Sequence, residues 1–147
     1  MNQIIQVLET KDDFNGVKIA ILNDEGGILL HLRDNKPGLF NAGMWDFLGG
    51  GRESNESPLE CVTREVKEES NIDIVSTDII FAGFFPAQKD PTQKAVFCVA
   101  QIPNNRLDEI EIHEGQGYKF FTEEEFFSDE FVIPAIRERY MNYKVTE

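Results

Sequence analysis

The sequence predicts an α/β fold with a mixed sheet. Strand-like segments recur along the chain and helices are few, with one sharply bounded helix in the middle and another at the end. At 147 residues the chain can bury one good core and is too short for two ordinary domains, so a single domain over residues 1–147 is expected. In order, Gln3 to Leu8, Val17 to Leu22 and Gly27 to Arg33 read as strands, the last two joined as a hairpin through Asn23-Asp24-Glu25-Gly26. Further strands are expected at Asp78 to Phe85, Lys94 to Ile102 and Tyr118 to Phe121. Glu123 to Phe127 and Pro134 to Tyr143 read as helices, the second packed on the sheet. No internal repeat or low-complexity linker breaks this order.

The middle helix carries the strongest local signals. Ser57 supplies a hydroxyl cap, Pro58 the first helical position and Glu60 the third residue of a capping box. No Gly or Pro follows until after Ser70, and Asn71 tolerates the left-handed conformation that ends helices. At about 100° per residue, Glu65, Glu68 and Glu69 (i, i+3, i+4) share one face, while Leu59, Val62 and Val66 form a stripe that can pack on a core.

An acidic face of this kind is costly by itself. Two like charges about 4 Å apart repel by about 4 kcal/mol at an effective dielectric near 20. A divalent cation reverses that sign, and hard carboxylate oxygens suit Mg²⁺ or Mn²⁺, with Ca²⁺ as an unproductive substitute. A solvated acidic helix face is the bland alternative. The cap, the glycines and an arginine in register argue against it.

The segment resembles the Nudix box of the Nudix hydrolases: Gly, five residues, Glu, seven residues, Arg-Glu, an aliphatic residue, any residue, Glu-Glu, any residue, Gly and an aliphatic residue. Those positions here are Gly50, Glu56, Arg64, Glu65, Val66, Glu68, Glu69, Asn71 and Ile72, with Asn71 replacing the final Gly. Trp45, Gly49, Gly50 and Glu53 upstream also match the family, whereas Leu48 stands where it usually has proline and Asn55 where it has glycine.

The resemblance implies a Nudix-type α/β/α sandwich with its box at about residues 50–72. It implies that Glu65, Glu68 and Glu69 bind Mg²⁺ or Mn²⁺, Glu68 also counting among the catalytic groups, with help from the Gly49 carbonyl. Arg64 and Glu56 would hold the loop and orient these acids. Glu53 would either reach a metal through water or position the nucleophile. Downstream, Glu114-Gly115-Gln116 before Tyr118 resembles the loop that supplies a further glutamate in mutator-type nucleotide pyrophosphohydrolases, so Glu114 is a candidate ligand or base, with His113 a weaker rival. The implied reaction is metal-assisted hydrolysis of a phosphoanhydride in a nucleoside diphosphate linked to a moiety X. The Glu-Gly-Gln loop favours a triphosphate over ADP-ribose or another nucleotide sugar. A nucleotide sensor without turnover is the reading of another class, and the retention of all three helix glutamates speaks against it. An EF-hand fails on spacing.

Substrate contacts are less legible. Arg33, on the same side of its strand as His31, could hold a phosphate or make a surface ion pair; Lys36 and Lys89 are weaker candidates. Phe84 and Phe85, at a strand end, are candidates for stacking on a base, and Trp45 reads as a packing anchor. The net charge of −13 argues against a nucleic-acid polymer as partner and is compatible with a small-molecule nucleotide. No basic leader or membrane-length apolar run appears, so no membrane contact and a cytoplasmic location are expected. Cys61 and Cys98 lack metal-type spacing and read as reduced, buried thiols. Oligomeric state is left open, a homodimer included.

Overall fold

The computed structural model describes residues 2–112 and 115–146. Its first element is a helix, α1 (Gln3–Leu8), and not the expected strand. Asn2 caps it, accepting from the Ile4 N–H at 2.7 Å. Ile4, Val7 and Leu8 then form an i, i+3, i+4 stripe that packs into a core. Adjacent isoleucines suit either a strand or this stripe, and burial on the sheet decides.

Strands β1 (Gly16–Leu22) and β2 (Ile28–Leu32) make the expected hairpin. At its turn the Asn23 side chain accepts from the Glu25 and Gly27 N–H groups. Leu22 pairs with Ile28 at the turn end, and beyond it the strands part. Residues 45–51 fill the gap as two short strands that the glycine-rich sequence did not announce. β3 (Trp45–Asp46) lies against β2, with His31 opposite Asp46, and β4 (Leu48–Gly51) lies against β1, from Ile19 opposite Leu48 to Gly16 opposite Gly51. Phe47, fully buried, marks the crossing from one neighbour to the other.

Helix α2 (Pro58–Ser70) forms as its caps predict: Ser57 and Glu60 close the capping box, and Asn71 ends the helix at φ 66°. After β5 (Ile79–Pro86) and β6 (Lys94–Gln101) come a short helix α3 (Asn104–Leu107), then β7 (Gly117–Phe121), α4 (Glu123–Ser128) and α5 (Pro134–Thr146). The seven strands form one sheet, with β6 parallel to β1 and the other pairs antiparallel.

Helices cover both faces, which completes the α/β/α sandwich. On one face Leu8 of α1 and Val62 and Val66 of α2 pack with Ile19, Leu29 and Val96. On the other, Phe126 of α4 and Ile136 and Tyr140 of α5 pack with Leu30, Phe47 and Phe97. Cys61 and Cys98 are buried free thiols, and burial pushes each up to about 12. Among the described residues no helix is long and apolar enough to cross a membrane.

Candidate active site

The acids of α2 are organised by Arg64. Its Nε donates to Glu56 Oε2 at 2.6 Å and its Nη2 to Glu56 Oε1 at 2.9 Å, a two-pronged grip on one carboxylate. Nη1 lies 3.0 Å from Glu65, 2.9 Å from Glu68 and 3.3 Å from Glu53, and Nη2 donates to the Gly51 carbonyl at 2.9 Å. Glu56 in turn accepts from the Glu53 N–H at 2.9 Å. Hydrogen bonds from Arg64 hold the Glu56 carboxyl down to about 2, and the same contacts raise the guanidinium further above its ordinary range. The loop from Gly51 to Glu56 is thereby tied to the helix that carries the other acids.

Two glycines bring the strand beside that helix. Gly49 donates its N–H to Glu69 Oε1 at 2.8 Å, and Glu69 is 6% exposed. Gly50 packs so closely on Glu65 that a Cβ there would stand 2.4 Å from Glu65 Oε2. The missing side chain makes a cradle for that carboxylate.

A divalent cation fits this donor set. The acids offer hard oxygens, and the cradle at Gly50 turns the Glu65 carboxylate to the strand edge. Among the described residues the carboxylates do not converge on a ready-made cage of three or more ligands. Arg64 contacts Glu65 and Glu68 and holds them in reach of one another.

Beyond Gly50 and Gly51 a cleft opens where the sheet splits, and its wall is cationic. Lys18 lies 3.0 Å and Arg33 3.6 Å from Asp46, which is 3% exposed. Arg33 also donates from Nε to the Phe40 carbonyl at 3.0 Å. Phe40, Gln88, Lys89 and Arg139 line the same cleft. Across its mouth, Asn41 donates to Gln88 at 3.3 Å and ties the loop before β3 to the loop after β5. His31 lies inside the protein, 5% exposed; among the described residues neither ring nitrogen has a side-chain hydrogen-bond partner, and burial lowers its pKa below the ordinary value.

The expected site residues therefore fall into separate places. Glu53, Glu56, Glu65 and Glu68 gather around the Arg64 guanidinium, Glu69 and Gly49 meet beside them, and Arg33 stands on the neighbouring cleft wall. Phe84 and Phe85 alternate along β5 onto opposite faces: Phe84 packs with the α2 side, 5.0 Å from Lys94 Nζ, and Phe85 with the α5 side against Phe97. Lys36 is paired with Asp34 at 3.7 Å, and Trp45 packs edge-on against Phe121. Glu114 and His113 lie outside the described residues. Lys18, Phe40, Asp46, Gln88 and Arg139 were not singled out from sequence. Lys18 was the visible signal, a single charge in an otherwise apolar strand, whereas Arg139 reaches the cleft through tertiary packing alone.

The paired acids of α2 thus meet a glycine edge, and on the other side of that edge lies a cleft with a cationic lining. The NUDIX domain model matches residues 14–142, and the chain belongs to that family. It is a Nudix hydrolase acting on acid anhydrides in phosphorus-containing compounds, and Nudix hydrolases generally use a divalent metal. Among solved structures, the MutT protein of Methanosarcina mazei Go1 is 25% identical, covering 94% of this chain and 98% of its own at a TM-score of 0.71. A NUDIX-family hydrolase of Clostridium perfringens is 19% identical over 89% of this chain and 96% of its own, TM-score 0.63. An Ap4A hydrolase of C. elegans is 16% identical over 90% and 99%, TM-score 0.60. These last two likenesses are of fold alone.

Proposed function

We propose that the enzyme is a nucleoside triphosphate pyrophosphohydrolase, cutting a phosphoanhydride of a nucleoside diphosphate linked to a further phosphate and releasing a monophosphate and pyrophosphate. The observation that carries this reading is the adjacency across Gly50 of an acidic helix and a cationic cleft. Glu65, Glu68 and Glu69 would hold Mg²⁺ or Mn²⁺, with the Gly49 carbonyl beside them. Bound there, a divalent ion supplies charge neutralisation at the phosphates and a lowered pKa for the attacking water.

The remaining work falls to the chain's own groups. Arg64 sets the spacing of Glu53, Glu65 and Glu68, and Glu56 anchors Arg64. Lys18 and Arg33 face the substrate's phosphate oxygens from the opposite wall. Glu53, 66% exposed at its side chain, or Glu114 accepts the proton of the attacking water. Two buried, unoxidised thiols suit work in a reducing compartment such as the cytoplasm.

The test is a hydrolysis panel with and without Mg²⁺, nucleoside triphosphates against ADP-ribose and other nucleotide sugars, with Glu69→Gln as the comparison. The glutamine keeps an oxygen for the Gly49 N–H and loses the charge, so turnover is expected to fall on the order of a hundredfold with the fold intact. Near-normal turnover in that variant would overturn the metal assignment. Faster turnover of nucleotide sugars than of triphosphates would overturn the choice of substrate.

A further inference from the structure

The cationic wall holds more positive charge than its one carboxylate balances. Lys18 and Arg33 share Asp46, at 3.0 and 3.6 Å. Arg139, projecting from α5, has no such partner: among the described residues no carboxylate lies within 4.0 Å of it, and its hydrogen bond runs from Nη2 to the Pro86 carbonyl at 2.8 Å. Its residue is 5% exposed, and the guanidinium lies 5.9 Å from the centre of the Phe85 ring. A guanidinium carries five N–H donors. One is taken by the backbone, and the group borders the cleft.

Asp46 and Glu138 favour the Arg139 charge from a distance, and a buried charge with no carboxylate in contact is costly unless something it faces compensates. In a chain of net charge −13, four cations and one carboxylate lining this cleft, Lys18, Arg33, Lys89 and Arg139 with Asp46, invert the local sign. The inversion is built by tertiary structure, because Lys18 comes from β1, Arg33 from the residue after β2, Lys89 from the loop after β5 and Arg139 from α5, and the Asn41–Gln88 hydrogen bond ties two of the loops that line the same cleft.

We infer that this wall is an anion subsite with Arg139 as its specificity-determining residue: it takes a phosphate group that the substrate carries beyond the anhydride being cut, and so selects polyphosphate substrates over those whose X ends in a neutral sugar. The inference rests on the pyrophosphohydrolase reading for the position of the cut. The planar fork of Arg139 matches two phosphate oxygens at once. Asp46 sets the fit from the other side: it is in contact with Lys18 and Arg33, whereas it and Glu138 act on Arg139 only from beyond 4.0 Å, so Arg139 is the buried cation whose charge the ligand can still meet directly. A sugar hydroxyl would leave that charge unpaired.

The test uses the whole enzyme with Arg139→Met and Arg139→Lys. Calorimetric binding of inorganic tripolyphosphate, without metal, is measured beside kcat and KM for a nucleoside triphosphate and a nucleotide sugar of the same base, and beside Tm. For Arg139→Met the tripolyphosphate Kd is expected to rise about tenfold or more, as loss of a charged hydrogen bond implies. The triphosphate-over-sugar ratio of kcat/KM should fall by a similar factor through KM, and Arg139→Lys should recover part of both. Tm should hold or rise, because an unpaired buried charge has gone. A lowered Tm with an unchanged tripolyphosphate Kd, or equal losses on both substrates, would overturn the inference and make Arg139 a structural clamp on Pro86. If wild type hydrolyses nothing in the panel while Arg139→Met still abolishes tripolyphosphate binding, the proposed reaction fails and the subsite stands.

Discussion

Replacing Gly50 by alanine separates the geometry of the acids from the stability of the fold. The added Cβ would lie 2.4 Å from Glu65 Oε2 and 2.8 Å from Oε1, whereas ordinary contact begins at 3.4 Å, so the carboxylate must retreat by about 1 Å. The obstacle is the far end of a side chain that is 15% exposed, and it can swing aside at little cost to folding. A displacement of about 1 Å at a reacting centre costs on the order of a hundredfold in rate, or about 2.7 kcal/mol of transition-state stabilisation. Gly50→Ala should therefore keep a Tm within a few degrees of wild type and lose about a hundredfold in kcat/KM. Gly49→Ala is the control, since its Cβ would meet the Val17 carbonyl at 2.1 Å and its φ is +142°. That collision is with backbone, so the loss should be in stability, more than about 3 kcal/mol by urea unfolding. Both quantities come from steady-state kinetics and denaturant titration on the same preparations. Gly50→Ala with activity within threefold of wild type would refute the cradle.

Two further outcomes follow from the charges. Arg64→Met leaves Glu53, Glu56, Glu65 and Glu68 without the guanidinium that contacts them all, so unfolding at pH 7 should become easier by roughly 2 kcal/mol and Mg²⁺ should restore part of the loss. Because the Glu56 carboxyl is held at about 2 against an ordinary 4.5, its stabilising contribution is present above 4.5 and is lost as pH falls towards 2; a chemical-denaturation series should show that acid arm flattened in Arg64→Met. His31 is held below its ordinary 6.5 by burial, with Asp46 opposing and Lys18 and Arg33 reinforcing the shift. The unfolded chain then binds the proton first, so stability should fall as pH drops below 6.5, and His31→Gln should remove that slope in the same assay; a slope unchanged by the substitution would assign it elsewhere.

How much of this was legible depended on how local each signal was. Helix α2 was readable from Ser57 to Asn71 because cap, proline and left-handed stop act within a few residues. Strands β1, β2 and β6 were readable because their residues are branched or aromatic and bury both faces. Residues 45–51 were not, since Gly49, Gly50 and Gly51 have no side chains to announce a strand; they are one because β1 and β2 part and leave unpaired backbone that must be met. Gln3–Leu8 misled because its apolar spacing serves two periods and the sheet face chose between them.

The candidate site divides along the same line. Its acidic half is spaced within one helix and one loop, so the sequence displays it. Its cationic half is assembled from Lys18, Arg33 and Arg139, whose nearest pair in sequence is still a hairpin apart, and no window of the chain shows them together. A chain with 27 acids and 14 basic residues cannot attract a polyanion by its overall charge. It can do so at a place where three cations are fixed by the core around one buried carboxylate, immediately across a glycine edge from the acids. On this argument the sheet split is the structural basis of selectivity: if β1 and β2 stayed paired along their length, Asp46 would have no gap to enter, and Lys18 and Arg33 would lose the group that holds them in register.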